Sequence, residues 1–532
     1  MSDRQVEDNP VMLQLLSMAQ PLVAQADYHE LDRLLAGITV PADHKARTLC
    51  ELSYVESIKG RYRNAHAAAV MACRVPFNDP RIAIELASRL RTFNETTLLH
   101  ALANRFGPPS RMPVPLLLAF AAQFSHLGCQ DQAWIYLEEA QRADPDYPPT
   151  ALAAGQVLTY RGKLDQADKA FERCVRRAPE IAQAHWFLAG LAKQTPEHNH
   201  VARLLALANG QGGKRVVGDD LLQFALHKEF ADLGESEFAW KHLQLGCAIK
   251  RRTLDYTTDQ SDALIEALIE AVPAERAKPA GHERGPTPFF IIGMHRSGTT
   301  LLEQMLDGHP SVVGVGELYD FTSAMRFATD HHCQGVIDRT IVEKASVPGF
   351  NFLEAGRHYL ASVEWRVAGK QAFTDKLPSN FLNAGFICQA IPQAKLLHMV
   401  RDPIEVCFSN LRELFSGANP YSYDQIELAD FYLLYHRLMA HWRQAYPGRI
   451  LDIHYDRMVR EPEAVIREVC EFCDLEFDPE MLAIGNRKRG VATASAVQVR
   501  EGIQVRDVPK WKPYEAQLQP LIQRLRDGGV LG

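Results

Sequence analysis

The spacing of apolar positions changes once along the chain. Up to about residue 250 it is that of consecutive helices, and Asp262 to Ala271 reads as one more amphipathic helix, fit to close the end of the helical array. From Phe289 onward, short apolar runs alternate with helical stretches. The candidate strands are Pro288 to Ile292, Val312 to Val315, Ala372 to Asp375, Lys395 to Val400 and Ile450 to His454. Such alternation predicts a parallel sheet with helices on both faces. Between the two regimes lies AVPAERAKPAGHERGPTP, residues 271–288, rich in Pro, Gly and charge, which reads as a domain boundary. The expected organisation is α + α/β: an all-helical domain over residues 10–250, a connecting helix and linker over 251–286, and an α/β domain over 287–532.

The helical half repeats itself. Between Leu116 and Trp186, two segments superimpose at a period of 34 residues, with Ala121, Gly128, Ala133, Leu137, Ala140 and Pro145 mapping onto Gly155, Gly162, Ala167, Phe171, Cys174 and Pro179. Small residues let paired helices approach, glycine ends the first helix, a large apolar residue fills the next groove, and proline stops the second helix. This is tetratricopeptide (TPR) spacing, and it predicts a solenoid whose concave face binds proteins or peptides. Weaker copies lie around Gly60, Ala65, Ala69 and Ala72, and around Gly234 and Ala239.

Composition narrows the partners. The 532 residues are 46% hydrophobic and 23% charged with a formal net charge of -7, so no global basic field favours nucleic acid. No apolar run is long enough to form a transmembrane segment, and the N-terminal residues lack a basic region followed by an apolar core, so a cytoplasmic location is expected. Of the ten cysteines, the close pair Cys470 and Cys473 sits among apolar residues of a helical stretch and reads as buried structural thiols. His331, His332 and Cys333 lack a second ligand pair at helical separation and read as a surface cluster rather than a metal site.

Chemistry begins where the first predicted strand ends. Phe289 to Ile292 breaks into Gly293-Met-His-Arg-Ser-Gly298-Thr-Thr and then a helical stretch, Leu301 to Leu306. In the mononucleotide-binding loop G-x-x-x-x-G-K-[ST], the lysine reaches the outer phosphates of a triphosphate. Here Thr299 takes the place of that lysine and the positive charge sits inside the loop at Arg296. The hydroxyls of Ser297, Thr299 and Thr300 and the helix N-terminus remain to hold an anion. The loop therefore suits a nucleotide phosphate without a triphosphate tail. Arg296, Glu317, Lys376 and Arg401 each follow a predicted strand, where ligands gather in open parallel sheets. His295 and His309 fit either contact with a ligand or loop packing.

The segments GMHRSGTTLLEQMLDGHPSVVGVGE, FTDKLPSNF, AKLLHMVRDPIEVCFSN, IHYDRM and TASAVQVREG, with the later KW, resemble the sulfotransferase family over about residues 287–520, in particular its tyrosylprotein sulfotransferase-like and TPR-fused members. The resemblance implies 3'-phosphoadenosine 5'-phosphosulfate (PAPS) as sulfuryl donor, no metal, and an acceptor hydroxyl such as that of peptide tyrosine, recruited by the TPR array. It places the donor's 5'-phosphate on Arg296, Ser297, Gly298, Thr299 and Thr300, with Arg296 also near the moving sulfuryl group. The 3'-phosphate falls to Arg401 and Ser409, further donor contacts to Ser495 and Lys510, and the adenine region to Tyr455. Glu317 becomes the general base, and Lys376 the cation at the oxygen bridging sulfur and phosphorus. Near the last donor loop the chain departs from the TPR-fused pattern, with Arg506-Asp-Val-Pro-Lys510-Trp511 where a Ser-x-Gly-x-Trp run is usual. Acceptor pockets are expected in loops such as Phe321 to Gly356 and Phe415 to Tyr423.

Two other readings stay open on sequence. A P-loop nucleotide kinase or NTPase would use the same loop, against which the missing lysine counts. A catalytically inactive TPR scaffold would keep a nucleotide-binding domain without transfer. Apart from the family pattern, Arg401 would pair with Asp402 and cap a helix, Glu317 would be a helix-start carboxylate, and Lys376 a solvated surface lysine.

Overall fold

The computed structural model describes residues 10–25, 27–38, 40–209, 218–271, 285–415, 417–484, 490, 497, 502–505 and 507–531. Most of the predicted linker, together with Ser495 and Arg506, lies outside the described residues. The chain forms two compact units, neither continuous in sequence: Met1–Pro145 with Tyr319–Val363, and Asp146–Leu318 with Glu364–Gly532.

The first unit is helical among its described residues. Helices Ala42–Ile58 and Tyr62–Arg74 form one hairpin, and Val114–His126 and Gln130–Ala143 another. The stretch expected as an acceptor loop from Phe321 to Gly356 is instead largely helix: Asp320–Thr329, Arg339–Ala345 and the start of Phe352–Val367. Phe321, Ala324 and Met325 share one stripe and are fully buried, which drives the segment into a helix. It is bound to the first hairpin by Arg63, whose guanidinium donates to the carbonyls of Phe327 and Ala328 and whose backbone N–H donates to Asp330. His331, His332 and Cys333 depart from the expected surface cluster. Cys333 is buried, His332 stacks on Tyr62 of the hairpin, and His331 bonds Asp338 at 2.7 Å, so each is engaged in packing or a hydrogen bond.

The second unit holds two further hairpins, Pro148–Tyr160 with Leu164–Arg177 and Asp219–Asp232 with Ser236–Arg251. Pro148 and Leu164 begin helices 34 residues after Val114 and Gln130 begin theirs, and the matched helices have equal lengths of 13 and 14 residues. The period read from the sequence is thus a period of helices. Gly60, Gly128, Gly162 and Gly234, at the four hairpin turns, have φ between 73° and 80°, a conformation that favours glycine. Gly155 meets a different demand: a Cβ there would lie 2.5 Å from the ring of buried Phe171.

The α/β layer carries five parallel strands, β1 (Thr287–Gly293), β2 (Val312–Gly314), β3 (Ala372–Asp375), β4 (Lys395–Val400) and β5 (Ile450–His454), in the order β2-β3-β1-β4-β5. These are the five predicted strands to within a residue or so. From β1 the chain moves to one side for β2 and β3, then to the other for β4 and β5, so the order reverses at β1. Ligands bind at such a reversal, outside the carboxyl ends of the strands. Phe289 to Ile292 are buried on both faces, which explains their unbroken apolar run. Cys470 and Cys473 are buried in the same core, as expected. Helix Thr258–Glu270 lies on helix Gln425–Ala445 of this layer, with Arg437 between Asp262 and Glu266. It covers the α/β layer instead of closing the array.

Gly155→Val should crowd Phe171 and destabilise the protein by about 1–3 kcal/mol, the usual cost of overpacking a core; a lower urea midpoint at unchanged slope checks this.

Candidate functional site

At the carboxyl ends of the strands lies a cavity of about 520 Å³, within the usual range for small-molecule sites. Its floor is the turn from β1 into helix Thr299–Leu306. Arg296 has φ 67° and Gly298 φ 105°, and this pair of left-handed residues wraps the loop. A Cβ on Gly298 would fall 2.4 Å from the Tyr455 ring, and one on Gly293 would fall 2.8 Å from the Met399 carbonyl oxygen. The helix that follows has no side-chain cap, so its first N–H groups face the loop without a built-in acceptor. Ser297 Oγ is buried with no hydrogen-bond partner.

Arg401, directly after β4, ties the loop to the next helix. Its guanidinium donates to the Arg296 carbonyl at 3.0 Å and to Glu405 at 2.7 Å, and it lies 4.4 Å from the centre of the Tyr455 ring. Asp402 accepts from the Glu405 N–H and so caps helix Pro403–Leu411, while the ion pair goes to Glu405, not Asp402. Ser409 lies further along that helix and borders the cavity. The Lys510 N–H donates to the other Glu405 oxygen at 3.1 Å, which draws the Lys510-Trp511 segment to the same wall. The Arg296 guanidinium lies 3.7 Å from the Glu413 carboxylate.

On the opposite side, Lys376 follows β3 and Glu317 follows β2, and Lys376 Nζ donates to Glu317 Oε1 at 2.5 Å. Lys376 is 1% exposed, so it is no solvated surface lysine. Gly316 is held at both its polar groups: its N–H donates to Glu303 Oε1 at 2.8 Å, and its carbonyl accepts the Lys376 N–H at 2.9 Å. His295 borders the cavity beside Glu317, and burial pushes its imidazole down to about 4. Tyr160, at the end of helix Pro148–Tyr160, packs against the sheet core; burial raises its hydroxyl pKa, with the charge of Glu317 adding to the rise.

The structure therefore gathers Arg296, Gly298, Thr299, Thr300, Glu317, Arg401, Ser409, Tyr455 and Lys510 around one cavity. Ser297 sits beneath the loop and Lys376 reaches the site through Glu317. Ser495 lies outside the described residues. Sequence reasoning missed Glu405, Glu413 and Glu303. The spacing of Arg401 and Glu405, four apart at a helix start, was a readable signal for the first; the other two depend on tertiary placement.

Residues 288–479 match the family model described as "Sulfotransferase family". An "Uncharacterized protein" of Aquifex aeolicus is 32% identical over 57% of this chain and 41% of its own length. "Protein-tyrosine sulfotransferase A" of Caenorhabditis elegans is 25% identical over 38% of this chain and 53% of its own. The chain thus spans about half the length of these relatives. A solved sulfotransferase domain from the curacin biosynthetic pathway is 18% identical over 45% of this chain and 99% of its own, with a TM-score of 0.28. The segment that matches this family model, residues 288–479, contains Arg296, Glu317, Lys376 and Arg401, which follow four of the strands.

Proposed function

We propose that the protein is a PAPS-dependent sulfotransferase acting on an acceptor hydroxyl, with peptide tyrosine as the leading acceptor class and the helical hairpins as a TPR array that recruits the acceptor. The observation that carries the reading is the ion pair of buried Lys376 with Glu317, which lines the same cavity as the loop residues Arg296, Gly298, Thr299 and Thr300.

The residues fit this donor. The partnerless Ser297 Oγ and the uncapped helix N-terminus suit an anion seated in the loop. Arg401 and Ser409 would hold the 3'-phosphate, with Glu405 sharing or releasing the guanidinium. Tyr455 and Lys510 would border the nucleotide, and Ser495 is a further expected contact. PAPS supplies the sulfuryl group. Glu317 takes the acceptor hydroxyl proton while the acceptor oxygen bonds to sulfur; the sulfur–oxygen bond to the 5'-phosphate breaks, and its electron pair stays with the phosphate. As Glu317 gains the proton, Lys376 loses its counter-charge, at the moment negative charge grows on the bridging oxygen. Base and cation are thereby coupled, and Arg296 adds positive charge on the loop side.

Calorimetry with 3'-phosphoadenosine 5'-phosphate (PAP), compared with ATP plus Mg²⁺, tests the donor site directly. PAP should bind and ATP should bind far more weakly; preference for ATP would return the chain to the kinase or NTPase reading, and silence from both would favour the scaffold.

Glu317→Gln should lower sulfuryl transfer on the order of 10²- to 10⁴-fold, the usual worth of a general base, with PAP affinity changed by no more than about twofold. Transfer at the wild-type rate would remove Glu317 from that role.

A further inference from the structure

Two histidines lie in or near the phosphate-loop motif, and the structure separates them. His309 has both ring nitrogens engaged: Nδ1 accepts the Ser311 N–H at 3.1 Å, which leaves Nε2 to donate to the Glu476 carbonyl at 2.9 Å. It is a packing residue. His295 is only half satisfied. Its Nε2 lies 3.4 Å from Ser379 Oγ, its backbone carbonyl accepts the Asn410 side-chain amide at 2.7 Å, and its ring meets Phe415 edge-on at 5.5 Å. Nδ1 is closed to solvent and has no hydrogen-bond partner. Such atoms in native proteins almost always find one, and His295 borders the cavity it shares with Glu317 and Pro378. The Ser379 hydroxyl can donate to Nε2 or accept from it; the ring proton lies on Nδ1 in the tautomer in which the hydroxyl donates.

On the sulfotransferase reading, we infer that His295 is a further catalytic residue whose Nδ1–H hydrogen-bonds an oxygen of the sulfuryl group as it passes from donor to acceptor. The environment keeps the ring uncharged. Burial lowers its pKa to about 4 against the pull of Glu317, and the charges of Lys376 and Arg296 act in the same direction as burial. At neutral pH the imidazole is a donor of one hydrogen bond and not an acid. A fixed neutral donor of this kind acts on the charge that develops in the transition state and adds little to ground-state binding.

The test compares the full-length wild type with His295→Ala, His295→Asn and His295→Gln, using PAP binding by calorimetry and PAPS consumption with 4-nitrophenol as acceptor probe. An asparagine amide falls near the position of Nδ1, a glutamine amide near that of Nε2. His295→Ala should lose on the order of 10²-fold in kcat with PAP affinity within about twofold, because PAP lacks the sulfuryl group. His295→Asn should recover most of the loss and His295→Gln little, and the wild-type kcat should show no titration near pH 6.5. If His295→Ala turns over like the wild type, if glutamine rescues in place of asparagine, or if PAP affinity and melting temperature fall together with kcat, the assignment of His295 fails while the sulfotransferase reading stands. If the wild type binds no PAP, the sulfotransferase reading itself fails. Wild-type binding of PAP without PAPS consumption rejects the catalytic role and leaves a nucleotide-binding protein.

Discussion

An ammonium group with 1% exposure can persist in a fold only if a partner compensates its lost hydration, and for Lys376 that partner is Glu317 at 2.5 Å. The pair joins the ends of β2 and β3. Gly316, next to Glu317, is fixed through its N–H by Glu303 and through its carbonyl by the Lys376 backbone. Glu303 belongs to the helix that follows the phosphate loop, is itself buried, and also accepts the Thr374 hydroxyl at 3.4 Å. The helix after the loop, β2 and β3 therefore form one polar network, and Glu317 cannot move without disturbing it. Such connectivity fixes these charges in place, which is the preorganisation the proposed transfer would use.

The same economy governs the other cations of the cavity. Arg401 is matched by Glu405 and Arg296 lies near Glu413, as Lys376 is matched by Glu317. Each pair keeps a poorly solvated cation compensated in the free protein, and on the proposed function each carboxylate would yield or share its cation when the anionic donor enters. The net gain on binding is smaller than a count of basic residues suggests. On the same proposal, discrimination would improve correspondingly, because a neutral or singly charged ligand offers too little to displace three carboxylates.

How far the sequence spoke for the structure depended on the range of the interaction. The five strands were legible because buried parallel strands are continuously apolar, and the hairpin turns because Gly60, Gly128, Gly162 and Gly234 adopt a left-handed φ that favours glycine. Strand ends then located Arg296, Glu317, Lys376 and Arg401 with no knowledge of side-chain geometry. The segment from Phe321 to Gly356 was misread as a loop, because its apolar stripe answers to Arg63 and Tyr62, more than 250 positions away in sequence. Glu303 and Glu413 were invisible for the same reason. An acid on a helix, as Glu303 is, or just past one, as Glu413 is, is ordinary until the fold brings a glycine N–H or a loop arginine to it.

The helical hairpin Asp219–Arg251 illustrates how a site can rest on residues far from it in sequence. Tyr514, just beyond Lys510 and Trp511, sits among Trp240, His227 and Phe408, with ring centres 5.8, 6.4 and 5.2 Å away. Phe408 immediately precedes Ser409. One aromatic cluster therefore backs both walls that face the proposed nucleotide. Arg251 adds two bonds to Glu427, at 2.7 and 2.8 Å, and Phe224 meets Tyr423 edge-on. Removing the helices before β1 would bare Phe408, Tyr423 and Tyr514 together, an apolar face too large to leave in water. The later helices before β1 are thus part of what holds the cavity-lining segments in place, so the lengths of chain between Ser409 and Tyr423 and around Lys510 take their shape from side chains that precede β1.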